Sequence, residues 1–326
     1  MSSRSPTSSL SVCALAVALA VAHAGAAGPA GDERRITKAS NVRLRSAAAT
    51  SAPITAELPL GTELAVLEQT NAADRWYHVR ADDGRDGWVQ GRLTAPLRLE
   101  RRDEAIESIV VERLRGGGDF SSGLQLFDLI ERTAARSNDR EAQARFALYR
   151  LGAMKIVLLG VPFGRGGSDP YRGWIRDHQD AARYDEPGGT WIVEPLYVTG
   201  VHDAYRGATA ADEIAWFFVQ NGHYGECEGD VPCYVDWTNR LEGWYLHTYP
   251  AGRHTDDANG RIALKLNDVM DNLRSVPAVL AEFDPQSRCG ELHVSLDPLT
   301  EAVTASISAR KAGALTAIDR FAQLCR

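Results

Sequence analysis

Two short segments, Trp76-Tyr-His-Val-Arg80 and Trp88-Val-Gln90, decide the fold of the N-terminal part of this sequence. Aromatic and β-branched residues are enriched in strands, and glycines between two such segments favour a tight reversal of the chain. The residues that connect the two segments include Gly84 and Gly87. The stretch therefore predicts a β-hairpin.

Further short strands precede this hairpin. Asn41-Val-Arg-Leu-Arg45 alternates polar and apolar residues, and Thr62-Glu-Leu-Ala-Val-Leu67 is another segment of strand composition. About five short strands within residues 36–97 predict a small all-β barrel.

Residues 36–97 also carry a specific order of polar, apolar and glycine positions: Asn41-Val42-Arg43 followed by Ser46, Pro53-Ile54, Leu58-Pro-Leu-Gly61-Thr62, Leu64-x-Val66-Leu67, Trp76-Tyr77-x-Val79, Gly84, Gly87-Trp88-Val89 and Leu93. This order resembles the bacterial SH3 (SH3b) domain. The resemblance implies an SH3-like barrel that is not itself catalytic and occurs in envelope and secreted proteins. It also implies binding of a cell-wall peptide or a protein segment, often beside a hydrolase.

The ligand-binding groove that this resemblance implies would use Arg43, Trp76, Tyr77 and Trp88. Each aromatic residue also has a structural interpretation, because a barrel this small needs large side chains in its core. The sequence favours a core position for Trp88. It leaves Tyr77 open between the core and the groove.

The first residues of the chain have the pattern of an export signal. Arg4 precedes an apolar stretch at residues 10–22, which ends in the small-x-small sequence Ala22-His23-Ala24. This pattern predicts a secretory signal peptide at residues 1–24, with cleavage after Ala24 or, as the alternative, after Ala26. The stretch is shorter than the roughly 20 apolar residues of a membrane span. We therefore expect a periplasmic or secreted protein that does not span the membrane once the signal is removed.

Beyond the predicted signal peptide, the sequence contains four cysteines: Cys227, Cys233, Cys289 and Cys325. An even number in an oxidising compartment predicts two disulfides, for which three pairings are possible. The short spacing of the first two favours the pairs 227–233 and 289–325. A zinc site with His223 is the competing interpretation, but zinc motifs usually have tighter cysteine pairs. The sequence therefore predicts neither a metal nor another cofactor.

Composition limits the possible partners. The chain has 326 residues, of which 44% are hydrophobic and 24% are charged, with a net charge of −7. Nucleic-acid binding needs a clustered basic surface, so this acidic chain is not expected to bind nucleic acid. Residues 36–97 contain seven basic and seven acidic residues, whereas residues 98–326 contain 26 basic and 34 acidic ones. An electrostatically steered partner of the C-terminal part should be basic.

The remainder of the chain predicts helices. Residues 98–123 are predicted to form a charged helix and a glycine-rich linker, and apolar residues then recur at helical spacing. We expect a mainly α-helical, repeat-like domain at residues 124–326, with an extended stretch at 186–198 and a helix capped by Thr209. The junction around Tyr245 and Pro250 resembles that of tetratricopeptide-like repeats. The predicted protein is thus multidomain, a small SH3-like barrel followed by a helical domain.

Complete catalytic motifs are absent from the sequence. Neither Gly-x-Ser-x-Gly nor His-Glu-x-x-His occurs, although these motifs mark many exported hydrolases. The sequence therefore favours a non-catalytic binding or adaptor protein. The alternative is a cell-wall (peptidoglycan) hydrolase with an SH3b targeting domain and a site built from His202, Asp203, His223 and Glu226. An inhibitor of an exported enzyme is a third hypothesis.

Overall fold

The computed structural model describes residues 33–71, 74–222, 227, 230–275 and 285–325. The predicted signal peptide lies outside these ranges. The described residues form an N-terminal antiparallel half-barrel followed by a mostly helical region, which confirms the predicted fold class.

Seven short strands form the barrel sheet: β1 (Arg34–Thr37), β2 (Val42–Arg45), β3 (Ile54–Leu58), β4 (Glu63–Gln69), β5 (Trp76–Ala81), β6 (Asp86–Gln90) and β7 (Thr94–Leu97). Their order in the sheet is β3-β2-β6-β5-β4-β1-β7, and every pair is antiparallel. The predicted hairpin is β5–β6. Gly84, in its turn, has φ +86°, a conformation that glycine adopts without steric cost.

The helical region also contains one small hairpin. Its elements are α1 (Arg102–Gly116), α2 (Phe120–Ala134), α3 (Arg140–Leu159), α4 (Tyr171–Asp177), β8 (Ala182–Asp185), β9 (Thr190–Val193), α5 (Pro195–Ala204), α6 (Ala211–Asn221), α7 (Val231–Thr238), a π-helical turn (Asn239–Gly243), α8 (Trp244–Thr248), α9 (Thr255–Ser275), α10 (Pro285–Ala305) and α11 (Lys311–Ala322). Within the described ranges, no helix combines the length and apolar character that crossing a membrane requires.

The glycine-rich linker is shorter in the structure than the sequence predicts. Helix α2 begins at Phe120 because Asp119 caps it: the Asp119 carboxylate accepts a hydrogen bond from the Ser122 N–H, and the Ser122 hydroxyl accepts one from the Asp119 N–H. This reciprocal arrangement satisfies two backbone donors at the start of the helix. Gly123 then packs against Val157 of α3, where an added Cβ would lie 3.0 Å from the valine backbone nitrogen. The glycine serves helix packing here rather than chain flexibility.

Two local predictions differ from the structure. Residues 195–198 are helical rather than extended, because Pro195 occupies the first turn of α5 and the Glu194 carboxylate accepts a hydrogen bond from the Leu196 N–H. Proline is favoured in the first helical turn, where its missing N–H costs nothing. Thr209 does not cap α6; instead its backbone N–H donates to Glu141 of α3.

The barrel and the first helices share one hydrophobic core. Ile36, Leu60 and Leu97 of the barrel region are at most 5% exposed and belong to the same cluster as buried residues of α1, α2 and α3. Gln125 of α2 reinforces this junction, since its side chain accepts a hydrogen bond from the Leu60 N–H and donates one to Asn41. We refer to this cluster as the shared core. It crosses the boundary between residues 97 and 98.

A second core lies between the later helices, from α6 to α11. Both predicted disulfides are present at this end of the molecule: Cys227 is bonded to Cys233, and Cys289 to Cys325. The second bond joins α10 to the residues that follow α11. The favoured pairing of the four cysteines is therefore the one in the structure.

Candidate functional site

The four residues of the predicted groove lie on two faces of the barrel sheet. Side chains alternate between the faces of a strand. Tyr77 is paired in register with the buried Val89, whereas Trp76 and His78 are paired with Gln90 and Trp88. Tyr77 therefore points into the barrel, and Trp76 and Trp88 belong to the opposite face.

The outer face carries Trp88 and Arg43. Trp88 is half-buried and stacks on His78, with ring centroids 5.2 Å apart. Arg43 is exposed and forms an ion pair with Glu57 across the β2–β3 pair, at 3.6 Å. Trp76 is only 6% exposed, which leaves little of its side chain available to a ligand.

Tyr77 is the centre of a different arrangement. Its side chain is 3% exposed, and the Arg35 guanidinium lies 4.0 Å above its ring centroid. This distance is typical of a cation–π interaction. At the edge of the ring, Arg75 donates a hydrogen bond to the Tyr77 hydroxyl, at 3.4 Å. This hydrogen bond raises the pKa of Arg75.

A cleft of about 560 Å³ opens at this tyrosine. The residues that line it are Arg35, Asn71, Asp74, Arg75, Tyr77, Gln90, Gly91 and Arg92. Three arginines and one aspartate give the cleft an excess of positive charge. Such a cleft favours an anionic ligand group, because guanidinium groups form short, charge-assisted hydrogen bonds with carboxylates.

The position of Arg35 in the cleft is fixed by other contacts. Its Nε donates to the Thr94 hydroxyl at 2.7 Å, and its Nη1 pairs with Glu33 at 3.2 Å. The residue is only 7% exposed. Arg35 therefore orients the Tyr77 ring, whereas Arg75 and Arg92 are the arginines that an incoming ligand can reach.

Gly91 allows the backbone that lines the cleft to pack closely against the Tyr77 ring. A Cβ at this position would lie 2.8 Å from Cε2 of the tyrosine and 3.0 Å from the Arg75 carbonyl oxygen. Both distances are shorter than ordinary van der Waals contact. The glycine is thus required for the close approach of the residue 91 backbone to the ring.

The sequence pattern predicts a groove position for Tyr77 but gives no indication of its cationic neighbours. Arg35 lies outside the predicted barrel, one residue before its boundary, and reaches the cleft through the pairing of β1 with β4 and β7. Arg75 directly precedes Trp76, and Arg92 lies in the short 3₁₀ turn of Gly91–Leu93. The periodicity of strands does not reveal residues in turns.

The structure describes two of the four residues proposed for a hydrolase site. His202 is 1% exposed, and both of its ring nitrogens have partners: Asp203 at 3.2 Å and the Tyr249 hydroxyl at 2.8 Å. Burial lowers the pKa of His202. The other two residues, His223 and Glu226, lie outside the described ranges.

The described histidines belong to structural contacts in most cases. His254 stacks on Trp216 with centroids 4.8 Å apart and bonds Glu213 at 3.0 Å, while His178 stacks on Trp174. In the parts of the chain that the structure covers, no group of three or more histidine, cysteine or acidic side chains is arranged to hold a metal ion.

Comparison with known proteins identifies the barrel. Residues 40–95 match the family model described as "Bacterial SH3 domain". Neither the curated proteins nor the solved structures gave a match to this chain. The match confirms the SH3b resemblance for the barrel, and it ends before the helical region begins.

Proposed function

We propose, from the bacterial SH3 domain at residues 40–95, that this chain is an exported non-catalytic binding protein. Its barrel would bind a carboxylate-bearing segment of a cell-wall peptide or envelope protein in the cleft at Tyr77. The observation that carries the proposal is the cationic cleft in which Arg75 and Arg92 are exposed beside the buried ring of Tyr77. Domains of this family are commonly cell-wall binding modules.

The chemistry of the cleft supports a peptide carboxylate as the ligand group. Arg75 and Arg92 present guanidinium groups, whose planar donors match the two oxygens of a carboxylate. The cleft volume of about 560 Å³ falls within the range of small-ligand sites. That volume admits the end of a peptide rather than a folded partner.

The disulfides support export. Disulfides form and persist in oxidising compartments and are rare in the cytosol. The two bonds of this chain are therefore compatible with a periplasmic or secreted location. This support is independent of the predicted signal peptide.

The proposal is tested with the mature protein, residues 25–326, and purified peptidoglycan sacculi. We expect the protein to sediment with the sacculi without clearing them in a zymogram. An Arg92→Ala variant should bind about tenfold more weakly, since a hydrogen bond to a charged group contributes about 1.5–3 kcal/mol and this one is partly exposed to solvent. Clearing in the zymogram would support the hydrolase alternative.

Two control variants identify the binding face. Arg80→Ala removes an exposed guanidinium from β5 that pairs only weakly with Asp86, at 3.9 Å, and does not line the cleft. It should bind like the unmodified protein. Arg43→Ala tests the outer face that the SH3b resemblance implied. If Arg43→Ala weakens binding and Arg92→Ala does not, the ligand lies on the outer face and the cleft proposal is wrong.

A further inference from the structure

A second cavity, of about 450 Å³, lies among the helices. The residues that line it are Thr199, Phe218, Asn239, Arg240, Gly243, Trp244, His247, Pro298 and Glu301. They come from α5, α6, the π-helical turn, α8 and α10. We refer to it as the helical cavity.

Two helix irregularities meet at this cavity. In the π-helical turn the Trp244 N–H donates to the Asn239 carbonyl, five residues back, a widening that often occurs at functional sites. Opposite it, α10 contains Pro298, which lacks the N–H needed for a regular helical hydrogen bond. Next to the cavity the two elements approach closely, since a Cβ on Gly243 would lie 3.1 Å from Leu299.

The inner wall of the helical cavity is aromatic. Phe218 is 3% exposed and meets Trp244 edge to face, with ring centroids 5.0 Å apart. Trp244 is half-buried and also packs edge to face with His202, with ring centroids 5.2 Å apart. This packing holds the indole in a fixed orientation, so that the cavity offers a rigid apolar surface.

The charges at the cavity favour a cation. Arg240 is already paired with Asp236, at 2.7 Å. Glu301 is exposed, and its carboxylate has no hydrogen bond or ion pair to any residue that the structure describes. His247 is exposed and also lines the cavity. Glu301 and Trp244 line the same cavity, so the carboxylate can attract the charge of an organic cation while the indole offers apolar surface to its stem.

We propose that the helical cavity binds an alkylammonium group with an apolar stem. The stem would lie against Phe218 and Trp244, and the ammonium group would pair with Glu301. The same chemistry is presented by a free alkylamine and by a lysine side chain of a partner protein. The net acidity of residues 98–326 would attract either source. This site is separate from the cleft in the barrel and does not depend on it.

Hexylamine is the probe that tests the proposal, titrated into residues 25–326 by calorimetry at neutral pH. We expect it to bind more tightly than hexanol, which has the same stem without charge, and than hexanoate, which has the opposite charge. Glu301→Gln should weaken hexylamine binding about fivefold. Asp297→Asn removes a neighbouring exposed acid on the same helix that does not line the cavity, and should leave binding unchanged.

Further measurements distinguish a lysine side chain from a free amine as the ligand and check that the variants are folded. Displacement of hexylamine by Nα-acetyl-lysine methylamide assigns the site to a lysine side chain, whereas failure to displace it assigns the site to free amines. Both variants should keep the thermal midpoint of the unmodified protein, because both side chains are exposed. Equal binding of hexylamine and hexanol, or an unchanged affinity in Glu301→Gln, would overturn the proposal.

Discussion

The two disulfides are expected to stabilise the protein unequally, because they close loops of different length. Cys289–Cys325 spans a sequence separation of 36, and Cys227–Cys233 one of 6. The entropy lost by the unfolded chain on closing such loops corresponds to about 3.8 kcal/mol for the long loop and about 2.2 kcal/mol for the short one. The part of the loop-closure entropy that does not depend on loop length is the same for both disulfides and cancels in the comparison. Removing the long disulfide should therefore lower the free energy of unfolding by about 1.6 kcal/mol more than removing the short one.

The assay is urea unfolding of residues 25–326, followed by circular dichroism of the helices. The variants are Cys289→Ala/Cys325→Ala and Cys227→Ala/Cys233→Ala. The long bond also fastens the chain just after α11, next to Phe321, which is fully buried in the second core. This contact adds to the effect of loop length in the same direction. An equal or larger loss from the short disulfide would refute the reasoning.

Three further predictions concern packing, pH and domain boundaries. Gly91→Ala should destabilise the barrel by about 1–3 kcal/mol, because the added methyl group would collide with Tyr77. Thermal unfolding measures this loss. Gly116→Ala is the control, because a methyl group at that position meets nothing within 4 Å. Burial lowers the pKa of His202 below its ordinary value of 6.5, so the unfolded chain binds a proton more readily and stability should fall as the pH drops below about 6.5. In urea titrations at pH 7.5 and 5.5, His202→Gln should reduce this dependence, and an unchanged dependence would contradict the assignment. The isolated segment 33–98 should show no cooperative thermal transition, because it lacks the helices that cover its shared-core residues. A sharp transition in this fragment would instead show that the barrel folds alone.

The barrel was predictable because its sequence follows rules that hold over short distances. The alternation in β2 and the glycines of the β5–β6 hairpin determine a local structure before any distant contact forms. The disulfide pairing was predictable for a similar reason, since only five residues separate Cys227 from Cys233. Helical spacing likewise predicted most of the later helices. The prediction of an extended conformation for residues 195–198 was wrong, because proline and aromatic residues occur both at the start of helices and in extended segments.

The cleft at Tyr77 was only partly predictable, because strand pairing assembles it from distant residues. Tyr77 was a candidate from its position in the SH3b pattern. Arg35 reaches the same ring from β1, which pairs with β4 and β7 rather than with β5. No periodicity along the chain connects residue 35 with residue 77. The orientation of the Tyr77 ring was also not predictable, since the strand register decides which side of the sheet Tyr77 and the adjacent Trp76 face.

The net charge of a segment also fails to predict the local charges of a site. Residues 36–97 have equal numbers of basic and acidic side chains, which gave no reason to expect an anionic ligand. In the fold, Arg75, Arg92 and the neighbouring Arg35 converge on one cleft, with Asp74 as the only acid among its lining residues. In the helical cavity, by contrast, Arg240 is paired with an acid and Glu301 is left available. Electrostatic attraction falls off within about 8–10 Å at moderate ionic strength, so a ligand responds to these local arrangements and not to the balance of a segment. A barrel segment with no net charge can therefore present a cationic cleft, while the acidic helical region presents a carboxylate, unpaired among the described residues, at the helical cavity.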